Sequence, residues 1–370
     1  MADPRIRRWA ETLTRYCLYV QPGETVVINA APLAAPLVEE VYREILRAGG
    51  KPLPRISLPA LTEITLKEAS DAQLAFVSPM DEVMAETISA RLSIGSEENV
   101  RSLASVDPSR QAILQRANAA SRRRFSEREQ QGQFKWCGTL YPTQAYAQNA
   151  GMSLGDFTEF VYEACFLNDE HPAERWRALG AAQQRYVDWL KGKKRVRVLG
   201  RDTDLSLSIE GRTFINSDGK RNFPSGEFFT GPVEDSAEGT IRYMVPSAIN
   251  GRVVQDIRLR FRKGEVVEAT AAQGQEFMEQ MLKMDDGARR LGEFAFGNNF
   301  GITRGISNTL FDEKIGGTVH LALGSSYPET GGQNLSALHW DMVCDLRPEA
   351  GGGEVWVDDT LFLKDGKLLV

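Results

Sequence analysis

Near residue 192 the chain changes its hydrophobic period, and this change restricts its architecture more than any other feature. From Lys193 onward the segments RVRVLG, TDLSLSIEG, GTIRYMV, DIRLRFRKG and VVEATAA alternate apolar and polar residues, with Asp-Gly and Gly-rich turns between them. A period of two is the pattern of strands with one face in a core. The preceding part has a different texture. An amphipathic helix is expected over residues 5–18 and a short β-branched strand at Glu24–Asn29. A helix over Pro36–Ala48 follows, ended by Gly49-Gly50, and then a strand-like piece around Ile56. Leu74–Val77, a helix from about Asp81 and a strand around Arg91–Ile94 continue the alternation, which is that of a parallel sheet covered by helices. One polar helix over Pro108–Gln130 and two more between Leu154 and Lys191 complete this part. At 370 residues the chain is long enough for about two domains of roughly 150 residues, and the boundary is expected near residue 192.

Forty-four basic residues stand against fifty acidic ones, a formal charge of -6. This sign argues against a general polyanion binder, so no nucleic-acid partner is expected. The arginine triplet Arg122–Arg124 is followed at once by Glu127 and Glu129 and reads as a solvated helix face. Cys17, Cys137, Cys165 and Cys344 are widely separated, with no C-x-x-C pair or clustered spacing to suggest a disulfide framework or a zinc knuckle, and read as reduced thiols, mostly core. The N-terminal segment mixes charges with apolar residues, unlike a signal peptide, and no run of eighteen apolar residues occurs. A cytoplasmic protein with no membrane partner is the expectation.

The chain has three histidines, two of them in its last fifty-one residues. In Thr318-Val319-His320-Leu321-Ala322-Leu323 the strand period puts Val319, Leu321 and Leu323 on one face and His320 on the other. In His339-Trp340-Asp341 the same alternation points an imidazole and a carboxylate in one direction. That pair alone is equally compatible with a turn-stabilising hydrogen bond. Glu227 in Pro224-Ser225-Gly226-Glu227-Phe228 and Glu293 in Leu291-Gly292-Glu293-Phe294 each lie beside glycine among apolar residues. A carboxylate buried there is costly unless it is paired or bound to a cation. The ordinary reading is pairing with an arginine, such as Arg221 or Arg290. Oxygen-rich ligation completed by two imidazoles suits Zn, Co or Mn better than Mg, and the candidate groups outnumber the three or four protein ligands of one catalytic zinc. Two ions fit the count.

With these residues in view, NFPSGEFFTGP, LGEFAFGNN, LFDEKIGGTVHLALGSSYP and HWDMVCDL resemble the M29 family of metallo-aminopeptidases, also called the aminopeptidase T or aminopeptidase S family. The resemblance runs from about Asn222 to Leu346, with Tyr141-Pro142-Thr143 as an earlier point of likeness. It implies metal ligands at Glu227, Glu293, His320, His339 and Asp341, and an active-site tyrosine at Tyr327. Glu313 corresponds to a further carboxylate ligand less securely, because its spacing to His320 varies; its ordinary reading is a surface turn with Lys314. The implied fold is an N-terminal α/β domain (residues 1–192) plus an α+β C-terminal domain (193–370) carrying the metal site, assembled as a homodimer.

The implied activity is removal of N-terminal residues from short peptides by water activated at two divalent ions, with Glu293 and Tyr327 in catalytic roles. A metal-dependent amidase with a changed pocket and a metal-stabilised dimeric binding protein are the alternatives. No G-x-S-x-G elbow, H-E-x-x-H helix, Walker loop or G-x-G-x-x-G turn offers a competing chemistry. His171, just ahead of a helix beginning at Pro172, reads as a surface or capping residue.

Overall fold

The computed structural model describes residues 3–249 and 251–370. They form a mixed α/β structure in two compact units. The first holds the residues up to Ala173 together with Gly219–Phe223; the second holds Glu174–Asp218 and Pro224–Val370.

The first unit is built on a parallel sheet in the order Lys51–Ile56, Thr25–Ala30, Ala90–Gly95, Lys135–Leu140, Asn222–Phe223. Val26, Ile28, Leu92 and Ile94 are buried in it. The helix Pro4–Thr12 starts where Asp3 caps the Arg5 amide and Pro4 presets the first turn. It buries Ile6, Trp9 and Ala10. Two local expectations are corrected. Leu74 ends a short helix, Asp71–Leu74, because Ser70 and Gln73 form a reciprocal capping box that outweighs the strand-like run after it. The polar helix over 108–130 is two helices, Pro108–Ala117 and Ala119–Gln130, divided where the Asn118 side chain bonds back to the Leu114 carbonyl. The arginine triplet does lie on a solvated face, with Arg124 paired to Glu86 at 2.7 Å.

In the second unit an eight-stranded antiparallel sheet runs Glu265–Thr270, Ile257–Arg262, Glu238–Tyr243, Thr203–Ser208, Arg195–Gly200, Gly353–Val357, Thr360–Lys364, Lys367–Leu368. A five-stranded antiparallel sheet runs His339–Asp345, Thr318–Gly324, Leu291–Gly297, Glu227–Thr230, Ile215–Ser217. Their apolar faces share one core, in which Phe228, Phe294, Phe296, Leu321 and Trp340 join Val198, Leu205, Leu259 and Phe362.

All but the first two residues of the helix Pro172–Leu190 belong to this second unit, so the units divide about a helix-length before the change of texture near 192. The reason is side-chain anchoring. The Gln183 amide donates to Asn216 Oδ1 and to the Ser217 and Glu227 carbonyls, and Tyr186 stacks on Phe228. Among the described residues no helix is long and apolar enough to cross a membrane.

Candidate metal centre

Four adjacent strands of the five-stranded sheet bring the histidines and most of the acidic candidates to one face. Val319, Leu321 and Leu323 point into the shared core, as do Phe294 and Phe296, and Trp340, Met342 and Cys344. The opposite face therefore receives His320, Glu293, His339 and Asp341. Register sets the convergence: Ala322 lies opposite Glu293 on one side and Asp341 on the other, while His320 faces Ala295 and Gly297 faces Glu227. Alanine and glycine at these positions leave room above the sheet for the longer side chains.

The two glycines beside the glutamates have steric causes. Gly226 has φ +107°, and a Cβ there would stand 2.8 Å from the Asn299 Cβ. Asn299 in turn donates to the Ser225 carbonyl, fastening the GNN segment to the SGE segment. At Gly292 the sheet register shifts, and a Cβ would meet the Gly324 and Ser325 carbonyl oxygens at 2.3 Å. Each glutamate is thus delivered by a backbone kink that only glycine tolerates.

All six candidate ligands come together. The ligand atoms of Glu227, Glu293 and His320 lie within 4.8 Å of one another, as do those of Glu293, His339 and Asp341, and those of Glu313, His320 and Asp341. Glu293 spans the group, with Oε1 3.3 Å from His320 Nε2 and Oε2 3.4 Å from His339 Nε2. Glu227 Oε2 is 3.6 Å from His320 Nε2, and Asp341 Oδ1 is 3.4 Å from His339 Nε2. His339 Nδ1 lies 2.8 Å from the Ser325 carbonyl, which fixes the ring and leaves Nε2 facing the cluster. The arginines that could have neutralised the two glutamates are engaged elsewhere: Arg290 pairs with Glu265 and Arg221 with Glu129.

The electrostatics match a site organised around positive charge. Burial pushes the Glu227 carboxyl up. Burial also opposes ionisation of Glu293, but hydrogen bonds from both imidazoles prevail and hold it below the usual carboxylate range. Asp341, against the same opposition, is drawn down to about 2, chiefly by His339. Against burial, the surrounding carboxylates raise His320, and raise His339 to about 11. Even so, Glu227 Oε2, Asp341 Oδ1 and His320 Nδ1 are buried without a hydrogen-bond partner. Such orphans are expensive unless a further group satisfies them. The donor set and these unsatisfied atoms fit divalent cations.

Tyr327 borders the cluster. The residue is 40% exposed, with its ring 5.1 Å from the His339 ring and 5.3 Å from that of Phe229. Burial of its hydroxyl and the nearby Glu293, Asp341 and Glu227 carboxylates drive its pKa well above the ordinary phenol value.

Sequence reasoning missed one member. Lys314, read as part of a surface turn, is fully buried, with Nζ 3.3 Å from Glu227 Oε1 and paired with Glu313. The available signal was a lysine directly ahead of Ile315-Gly316-Gly317, on the approach to a strongly apolar strand. His171 is exposed.

Residues 2–367 match the family described as thermophilic metalloprotease (M29). Aminopeptidase 2 of Geobacillus stearothermophilus is 31% identical over an alignment covering 99% of this chain and 95% of that protein. Aminopeptidase T of Thermus thermophilus is 28% identical, with 88% and 85% covered. The solved structure of wild-type AmpT from Thermus thermophilus superposes with a TM-score of 0.83 at 25% identity, covering 99% of each chain. With a family match over nearly its whole length and a buried cluster of carboxylates and imidazoles to hold metal, this chain belongs to the M29 family of metalloproteases.

Proposed function

We propose that the protein is an aminopeptidase that releases N-terminal residues from short peptides by hydrolysis at two divalent ions. The ions would be held by Glu227, Glu293, Glu313, His320, His339 and Asp341. One observation carries this reading: three overlapping ligand triads in which three buried polar atoms lack a hydrogen bond. The names of the relatives, aminopeptidase 2 and aminopeptidase T, support the reaction class. Four carboxylates with two imidazoles suit Zn, Co or Mn before Mg.

When bound, the ions supply Lewis acidity toward the scissile carbonyl and make water more acidic. Glu293 takes the proton from the attacking water and delivers it to the departing amine. Tyr327 donates a hydrogen bond from its hydroxyl to the oxygen that gains charge. The carboxylate-rich wall offers an ionic partner for the free α-amino group of the peptide, which is the chemical basis for acting at a chain end.

We take the working form to be a homodimer in the cytoplasm. In the first unit the helix Pro59–Glu68 leaves Leu61 and Ile64 exposed on one face, with Leu58 beside them, an apolar surface a second copy could cover. All four cysteines are buried, in keeping with a reducing compartment.

The test is to strip the metals and restore Zn, Co, Mn and Mg separately. Aminoacyl anilides and their N-acylated counterparts are then assayed, with bound metal quantified. Turnover of the free-amine substrates alone, returning with two equivalents of Zn, Co or Mn, is expected. Equal turnover of N-acylated substrates would make the enzyme a general amidase, and a metal-loaded but inert protein would end the proposal.

A further inference from the structure

We propose that Lys314 is a resident counter-cation of this site: a positioning residue whose charge supports the carboxylate cluster before metal enters and, by the same charge, weakens the hold on metal afterwards. The inference rests on the metal-centre reading above. Lys314 is 0% exposed, and its ammonium group lies 3.3 Å from Glu227 Oε1 while pairing with Glu313. Its backbone is tied down as well, since its N–H donates to the Phe311 carbonyl and its own carbonyl accepts from Asn299 at 3.0 Å. The side chain therefore has no route to solvent, unlike the common case of a lysine that lays its stem on the surface and keeps its head in water.

Charge decides what such a residue does. Glu227, Glu293, Glu313 and Asp341 bring four carboxylates into one cluster, the first two buried and the last two partly so, and Lys314 is the one fixed ammonium seen touching them among the described residues. Without metal it offsets part of their mutual repulsion. Once dications arrive, it becomes a like charge beside them. Lysine and metal thus compete for the same negative field, and by linkage whatever Lys314 gives to the metal-free fold beyond the loaded one appears as lost metal affinity.

The experiment uses the full chain as wild type, Lys314→Met and Lys314→Arg. Metal-free and Zn-loaded melting temperatures are compared, and Zn affinity is read by competition with a chromophoric chelator. Lys314→Met is expected to bind Zn at least tenfold more tightly. Its metal-free form should melt roughly 3 to 5 °C lower, the shift to which a tenfold change corresponds in a domain of this size, while the loaded form stays close to wild type. Lys314→Arg should follow wild type.

Equal destabilisation of both forms with unchanged affinity would assign the residue to packing, and weaker Zn binding would assign it to orienting Glu313; either overturns the proposal. If Lys314→Met does not fold without metal, the double variant Glu313→Gln/Lys314→Met restores the charge balance and should recover the metal-free fold; no recovery also overturns it. A wild-type protein that takes up no divalent ion would instead mark failure of the metal-centre reading itself.

Discussion

The two larger antiparallel sheets of the second unit are written in the same alphabet and carry opposite consequences. In Ile257–Arg262 the burial pattern alternates strictly, and Arg258, Arg260 and Arg262 stand on the open face, where Arg260 pairs with Glu268 across to the next strand. In Leu291–Gly297 and Thr318–Gly324 every position is buried, so Glu293 and His320 have no solvent face to occupy. A charged residue at every second position is unremarkable at a surface. Even one ionisable residue per strand becomes a demand for neutralisation when the second face is closed. Burial of both faces, rather than the presence of charge, is what separates a ligand platform from an ordinary sheet.

The contrast breaks first at His339. Replacing it by Ala should lower kcat/KM on the order of 10³-fold or more, because it would remove a proposed ligand from one triad. The metal-free fold should persist, since the side chain is 27% exposed; circular dichroism alongside kinetics checks this, and a wild-type rate would remove His339 from the site. The reverse face answers differently. Phe294→Ala should cost about 3 to 5 kcal/mol of unfolding free energy by cavity formation, with denaturant melts as the measure and the metal affinity of the folded fraction little changed.

Acidity gives the next test. In the metal-free protein the carboxylates hold His320 and His339 above their ordinary value, His339 at about 11. Their raised values mean that the stability these imidazolium groups contribute is fully present below the unfolded pKa of about 6.5 and is lost as pH rises through the folded values, for His339 toward 11. Metal requires neutral imidazole. Zn loading at pH 8 should therefore expel protons, and apparent affinity should climb between pH 6 and 9, as read by calorimetry in buffers of different ionisation heat. Affinity that falls over this range would contradict the assignment.

Tyr327→Phe should be milder, lowering kcat roughly 10- to 100-fold with KM little moved, if the hydroxyl acts on the oxygen that gains charge. A change in KM alone would place it in substrate binding. Smallest of all, Arg260→Ala on the open sheet should stay within about 0.5 kcal/mol.

Much of the site was written in the local pattern. The spacing of His339 and Asp341, the isolation of His320 from the apolar face, and the glycines beside Glu227 and Glu293 all follow from the two-residue period and from backbone sterics, which act over a few residues. Other features depended on distance along the chain. Leu74 fell to a capping box, and the polar helix broke at Asn118, where side-chain bonds compete with periodicity. The helix Pro172–Leu190 joined the second unit through Gln183, whose partners lie more than thirty residues on.

By itself the sequence determined which atoms could bind metal and on which side of each strand they would lie. Tertiary structure decided that Ala322 would sit between Glu293 and Asp341, that both faces would be closed, and that Lys314 would be drawn inward to Glu227 and Glu313. The physical reason is one of range. Strand period and glycine sterics are properties of neighbours, whereas register, burial and the pairing of charges are properties of segments that meet only once the chain has folded.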